Sequence, residues 1–353
     1  MSTNKQSKDS IRIINPFEIK NWNEIISKFQ AFSFFHTSEW AAVITASYNY
    51  EPAYFCFFDS DNINSIIPAM VVKSKFTGNR LVSLPFSDHC EPLTNSFDEI
   101  EQLKEEIFTF CMDGNLKYIE FRSSETKFPF ETEFFRTDLR HIIYLEKTDQ
   151  EIFKNFHDNT KRNIKSAQKE KITIKEENSF EGLKKFYRLH CITRRKHGLP
   201  PQPFSFFRNI FKFIISVSKG TILFAYNNNV PVASVILFHF NKKVLYKFGA
   251  SLTLGLPKGV NQLLMWEAIK KYIQLGYEEF DFGRTEIEHA GLRRYKLGFG
   301  ADERMIYTTR YNIATNKFIQ PSSNSIGLHN RIFNRLPIFV LKIFGNTLYK
   351  HLG

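Results

Sequence analysis

One succession of strands, helix and closing strand occurs twice in this chain, and it constrains the fold more than any other feature. The segment AYFCFF-DSDN-INSIIPAMVVKSK-FTGN-RLVSLP, which begins at Ala53, alternates apolar runs with turn residues and reads as strand, turn, strand, turn, strand. TILFAY-NNN-VPVASVILFHF-NKK-VLYKFGA, which begins at Thr221, reads the same way. Each is followed by apolar residues at helical spacing: Phe97, Ile100, Leu103 and Ile107 in the first, Leu263, Trp266, Ile269 and Ile273 in the second. Each helix stops at a glycine, Gly114 or Gly276, and leads into a strand closing in an acid and an arginine, LKYIEFR to Arg122 and YEEFDFGR to Arg284. The intervals from Gly78 to Gly114 and from Asn241 to Gly276 differ by one residue. Two copies of one α/β unit account for this spacing better than chance does.

Between the copies, Thr148 and Glu151 have the spacing of a capping box and mark the start of a helix. The first domain is therefore expected to cover residues 1–147 and the second 148–315, with a tail over 316–353. The second domain reads helix, strand, helices, the second meander, helix, strand, the segment GLRRYKLGFGA and a last strand, RMIYTTRYNI.

The net charge of +12 favours polyanionic partners such as nucleic acid, phosphate-bearing substrates or an acidic membrane surface. The acids end at Glu303, while Arg304, Arg310, Lys317, Arg331, Arg335, Lys342 and Lys350 follow it. Cys56, Cys90, Cys111 and Cys191 show neither C-x-x-C spacing nor a histidine cluster, which argues against a metal centre or a disulfide framework and suits a reducing compartment. The first twenty residues lack the apolar stretch of a signal peptide, and no segment is long and apolar enough to span a bilayer, so a cytoplasmic protein is expected.

Four segments taken in order, NTKRNIKSAQKEKITI, FYRLHCITRRKHGLPPQP, NQLLMWEAIKKYIQLGYEEFDFGRT and GLRRYKLGFGA, resemble the FemAB-type branch of the GNAT-like acyltransferases, over residues from about 30 to 312. The resemblance implies an α/β fold of two tandem GNAT-like domains, each a mixed, mostly antiparallel sheet flanked by helices. It implies transfer of an acyl or aminoacyl group, usually from aminoacyl-tRNA, to an amine of a phosphate-bearing peptidoglycan or polysaccharide precursor. No cofactor is implied; aminoacyl-tRNA or acyl-CoA is the co-substrate. Two departures from the family stand out. Sustained heptads for the long coiled-coil insertion are missing, and SEWAAVITASYNYEP has Ile44 where Fem ligases tend to have a phosphate-binding lysine. Two other readings stay open: an acyl-CoA-dependent N-acyltransferase acting on an amino sugar, and a catalytically silent module that binds tRNA or a glycolipid. SLTLGLPKGV offers Gly255 and Gly259 without the spacing of a CoA pyrophosphate loop, which argues for weak CoA binding.

Acyl transfer to an amine needs alignment, a proton acceptor and charge stabilisation at the developing oxyanion. By the resemblance, Lys296 in GLRRYKLGFGA supplies that charge, with Gly291 starting a helical turn and Gly298 and Gly300 leaving room for a ligand beside it. Asp281 either receives the amine proton or locks Arg284 in an ion pair, and Arg284 suits a phosphate or carboxylate. Lys161, Lys165 and Lys169 recur at helical spacing with Arg162 beside them, and Arg194, Arg195, Lys196 and His197 cluster near a helix end. Both groups suit phosphate contacts, or else a solvated face and the helix dipole. Tyr246, Asn261 and Arg293 complete the expected substrate-binding set, while His289 has no strong claim. In the tail, Ile332, Leu336, Phe339, Val340 and Ile343 share one helical face and Arg331, Arg335 and Lys342 another, with Pro337 at the start of the helix or at a kink. Such a helix suits peripheral contact with the inner face of an anionic membrane, or docking on its own core or a dimer mate.

Overall fold

In the computed structural model, residues 10–124, 133–321 and 333–353 are described. Arg331 and Ile332 of the expected tail helix lie outside them. Two compact units emerge: Met1–Thr137 with Ile306–Ser322 and Lys350–Gly353, and Asp138–Met305 with Ser323–Tyr349. Residues 138–147 fall in the second unit and 306–322 in the first, because a strand belongs to the sheet it pairs with rather than to its neighbours in sequence.

The first unit contains β1 (Ser10–Ile14), α1 (Trp22–Ile26), α2 (Ser38–Tyr48), β2 (Glu51–Pro52), β3 (Tyr54–Asp59), β4 (Asn62–Ile67), β5 (Met70–Val72), β6 (Arg80–Val82), β7 (Leu93–Thr94), α3 (Phe97–Asp113) and β8 (Tyr118–Ser123). The long middle strand expected of the first meander breaks at Pro68, which has no N–H to give a ladder. Its halves join different sheets: β4 pairs with β3 and β7, and β5 pairs with β2 and β6. Helix α3 starts at Ser96, whose hydroxyl accepts from the Glu99 N–H. Its inward row is Ile100, Leu103, Ile107 and Cys111, packed with Phe55, Ile119 and Phe121. Phe97, expected on that row, is instead exposed at the first helical position.

In the second unit the order is β9 (Arg136–Tyr144), α4 (Asp149–Lys154), α5 (Asp158–Lys169), β10 (Thr173–Glu176), α6 (Phe180–Lys196), α7 (Phe204–Ile210), β11 (Gly220–Asn227), β12 (Val230–Phe240), β13 (Lys243–Ser251), α8 (Val260–Gln274), β14 (Glu279–Glu286) and α9 (Ala290–Leu297). Strand order is β10-β11-β12-β13-β14-β9. The Thr148–Glu151 capping box forms as its spacing requires. Helices α5 and α8 cover one part of the core, with Ile164 and Ala167 near Val260 and Leu264, and the Phe156 ring meets Trp266 at 5.2 Å and Phe299 at 5.1 Å. Then β15 (Asp302–Asn312) pairs through Tyr307 to Asn312 with β8, and β16 (Lys317–Phe318) pairs with β15, in the first unit. The last helix, α10 (Ile338–Leu348), begins at Pro337 and packs on α6.

The two copies share one further property. In the first unit β6 runs parallel to β8 across α3, and in the second β13 runs parallel to β14 across α8. All four cysteines are free and buried, and burial pushes the Cys111 thiol up to about 12. Among the described residues no helix is long and apolar enough to cross a membrane.

Each unit also buries a neutral histidine. His36 is fully enclosed, with Nδ1 at the Ser33 N–H and Nε2 at 2.9 Å from the Glu91 carbonyl, and burial lowers its pKa to about 4. His190 meets Gln202 Oε1 at 2.8 Å; burial first, then the charge of Arg194, lower its pKa to about 3. An unfolded histidine binds its proton near 6.5. The stability these groups contribute is therefore complete above that pH and lost as pH falls towards the folded values. The thermal midpoint is expected to drop between pH 6.5 and 4, and His190→Gln to flatten that drop; a midpoint constant across this window would contradict the assignment.

Candidate functional site

The parallel ladder of the second unit is short: Lys243, Val244 and Leu245 pair with Glu279, Phe280 and Asp281. Past it β13 runs on to Ser251 and β14 to Glu286 with no shared register. A cavity of about 220 Å³ lies along this part of β13, lined among others by Thr193 and His197 of the α6 end, Tyr246 and Ser251 of β13, Asn261 of α8 and Tyr295 of α9.

Local constraints set each wall. The register of β12 and β13 slips between Ile236 and Leu237, turning the strand at Tyr246. Gly249 makes the Tyr246 position possible, since a Cβ there would stand 1.8 Å from the tyrosine hydroxyl. That hydroxyl has no hydrogen-bond partner among the described residues, and burial pushes its pKa up to about 12, so it stays a neutral donor. Asn261 sits in the first turn of α8; its backbone carbonyl accepts from Tyr295 Oη at 3.1 Å while its carboxamide has no partner among the described residues. Thr193 Oγ1 donates to the Ser251 carbonyl at 3.0 Å and accepts the Ser251 N–H at 2.9 Å, tying α6 to β13.

His197 ends α6 and is likewise without a hydrogen-bond partner among the described residues. Burial, then the charges of Lys196 and Arg194, hold its pKa below the ordinary value. The loop that follows it is tightly held. Arg194 Nε donates to the Pro200 carbonyl at 3.2 Å and its terminal nitrogen to Tyr349 Oη at 2.8 Å, and Tyr349 in turn donates to Pro200 at 3.1 Å. Arg194, expected to grip phosphate, is thus committed to this loop. Arg195 and Lys196 beside it are exposed, with no partner among the described residues.

A second group of expected residues lies in a layer of charge around β14. Asp281 accepts from Arg140 Nε at 2.7 Å and from the Gly283 N–H at 2.7 Å. A second Arg140 nitrogen donates to Glu279 at 2.8 Å. Arg284 faces Asp138 at 3.4 Å, and Arg293 grips both oxygens of Glu303 at 2.7 Å, with His141 Nε2 at 3.0 Å from the same carboxylate. Lys296 is 2% exposed and donates to the carbonyls of Gly283 at 2.7 Å and Arg284 at 3.0 Å. Neither Lys296 nor Asp281 lines the cavity.

The glycines around Lys296 serve packing, which corrects their expected use. A Cβ on Gly298 would lie 2.4 Å from Thr160 Oγ1, and Gly300, at φ +67°, would place one 2.9 Å from the Asn155 carbonyl. They admit α5 and the turn before it, not a ligand. Gly291 follows Ala290 in the first turn of α9, and His289, given no role from sequence, caps that helix by accepting the Leu292 N–H. On α5, Lys161 Nζ donates to the Lys154 carbonyl at 2.8 Å, while Arg162 and Lys165 are exposed without partners among the described residues. Of the residues expected from sequence, His197, Tyr246 and Asn261 line one cavity, together with Thr193, Ser251 and Tyr295, which were not expected there. Gly249, three residues after Tyr246, was the one local signal of a crowded strand.

Residues 154–297 match the family model described as an acetyltransferase (GNAT) domain. That stretch is similar to a GNAT domain. It holds the whole cavity lining, which runs from Thr193 to Tyr295. Solved structures share the fold of the full chain. The crystal structure of FemX is 13% identical with a TM-score of 0.65, covering 84% of this chain and 96% of FemX. L-PGS from Bacillus licheniformis is 12% identical at 0.54, covering 90% and 96%. A tandem GNAT protein from the clavulanic acid biosynthesis pathway is 7% identical at 0.50, covering 90% and 100%. A search of curated proteins gave no match.

In the matched stretch, replacing Lys296 by methionine leaves the carbonyls of Gly283 and Arg284 without this donor. Lys296→Met is expected to lower the unfolding free energy by about 2–3 kcal/mol, read from urea titration. Unchanged stability would show that the ammonium does not hold α9 to β14.

Proposed function

We propose that this GNAT-fold acyltransferase moves an acyl or aminoacyl group onto an amine, with the reacting atoms in the cavity between α6, β13, α8 and α9. The observation that carries the reading is the convergence of His197, Tyr246 and Asn261 on one cavity, each with a polar side chain that no described residue satisfies. Polar groups left open inside a concave site are what a ligand completes.

In the reaction the amine nitrogen attacks the acyl carbonyl carbon, forming the C–N bond and pushing the carbonyl electrons onto oxygen. Their return expels the donor's ester oxygen or thioester sulfur. His197, held neutral at physiological pH, accepts the proton lost by the amine. The Tyr246 phenol, neutral with a pKa of about 12, donates a hydrogen bond to the oxyanion or a proton to the leaving group. Asn261 orients the acyl amide or carbonyl. In this reading Lys296 and Asp281 act one layer back: they fix α9 and β14, and with them Tyr295 and Leu292 of the cavity wall. Arg284 and Arg293 belong to the same support.

Aminoacyl-tRNA is the favoured donor. Gly259 has φ +81°, and a Cβ there would lie 1.9 Å from the Asn163 carbonyl, so this glycine serves the approach of α5 to α8 rather than a pyrophosphate loop. Exposed Arg162, Lys165 and Arg195 offer unsatisfied positive charge to a phosphate backbone or to a phosphate-bearing acceptor. The resemblance of GLRRYKLGFGA and its companion segments to FemAB-type enzymes favours an envelope precursor as the amine-bearing acceptor. A second reading, an acyl-CoA-dependent N-acyltransferase on an amino sugar, draws on the acetyltransferase description of the matched family.

Transfer assays with aminoacyl-tRNA and with acyl-CoA decide between the donors. With the productive donor, Tyr246→Phe is expected to lower turnover on the order of a hundredfold with little change in KM. His197→Ala is expected to remove the rising limb of the pH–rate profile, whose midpoint lies below 6.5 in the unsubstituted enzyme. Full turnover in both variants would rule this cavity out as the reacting centre.

A further inference from the structure

Helix α10 has two unlike faces. On the inner one Leu341 is fully buried, and a Cβ on Gly345 would stand 2.0 Å from the Pro201 carbonyl. On the outer one Phe339 is 66% exposed and Ile343 61%, with Phe344 and Leu348 also open to solvent. Leu254, in the loop between β13 and α8, is 86% exposed. The loop and the tail are contiguous: Leu254, Arg195, Lys196 and Asn334 line one surface hollow, and next to Asn334 the Phe333 ring packs 5.5 Å from Phe344. An apolar surface of this extent on a folded protein marks a contact site.

We propose that this surface docks on an anionic lipid bilayer, with Leu254, Phe339 and Ile343 entering the headgroup–acyl boundary. The charge around it selects that occupant. Arg195 and Lys196 line the hollow, exposed Arg335 follows Asn334 and exposed Lys342 precedes Ile343 on α10, the hollow has no acidic lining residue, and no acid follows Glu303 in the chain. A basic collar around protruding apolar side chains matches acidic headgroups above acyl chains. A second copy of the chain would instead set two basic collars against each other. The helix is 11 residues long, too short to span, so it lies in the interface plane. Its inner face meanwhile holds the loop that follows His197, so the docked surface adjoins the cavity wall at residues 196–197 and 251–252.

The test is co-sedimentation of the full chain with vesicles of phosphatidylglycerol and phosphatidylcholine, beside phosphatidylcholine alone. Binding is expected to the anionic vesicles, to weaken with salt and to be slight on the neutral ones. Leu254→Ser with Phe339→Ser and Ile343→Ser should reduce the partition coefficient by about tenfold or more. Should that variant lose its thermal transition, the charge variant Arg335→Glu with Lys342→Glu gives the reading, with binding again expected to fall. Absence of binding by the unsubstituted chain, or equal binding by a folded variant, overturns the proposal. So does a concentration-dependent dimer that the substitutions dissociate without any vesicle binding, which would assign the face to a second copy.

Discussion

A buried carboxylate has to be satisfied wherever the chain goes, and the second unit is arranged around one. Asp281 receives Arg140 from the neighbouring strand and the N–H of Gly283 from its own. The first contact fixes β9 against β14; the second shapes the bend where their register breaks between Asp281 and Arg284. At that bend the carbonyls of Gly283 and Arg284 turn to Lys296, which brings α9 onto the sheet. Removing either charge would strand the other in a low-dielectric interior, so the layer holds together as a set.

What that layer supports is a sheet that opens. Two parallel strands that pair over only three residues leave β13 with a free flank, and α6, α8 and α9 close around it without filling it. Three of the polar side chains that line it, His197, Tyr246 and Asn261, have no hydrogen-bond partner among the described residues, whereas those of the charge layer bind one another. This contrast separates side chains open to a ligand from those already paired better than residue type does. Lysine, aspartate and arginine look more catalytic than tyrosine and asparagine, yet here Lys296, Asp281 and Arg293 are paired within the fold.

The loop after α6 shows the same economy at the edge of the cavity. Arg194, Tyr349 and Pro200 form a closed set of hydrogen bonds, so the tail helix is seated on the segment that positions His197. Its outer face is left apolar and ringed by base, and the cavity opens beside it.

Periodicity, caps and spacing are local properties, and the sequence by itself determined what depends on them: the repeated meander–helix–strand unit, the Thr148–Glu151 cap, a helical tail with Pro337 at its start or at a kink, and the resemblance to GNAT-like acyltransferases. It also put His197, Tyr246 and Asn261 on the list of ligand-binding residues, though on the same footing as Arg194 and Arg293. Only the tertiary structure decided which of these meet. A side chain's partner lies across strands that are distant in sequence: Arg140 for Asp281, Glu303 for Arg293, Pro200 and Tyr349 for Arg194. The glycines of GLRRYKLGFGA looked like room for a ligand because a sequence shows that a Cβ is missing but not what occupies its place; Thr160 and the Asn155 carbonyl do. Whether a charge is free to act is settled by what surrounds it after folding, and that is a property of packing, not of spacing.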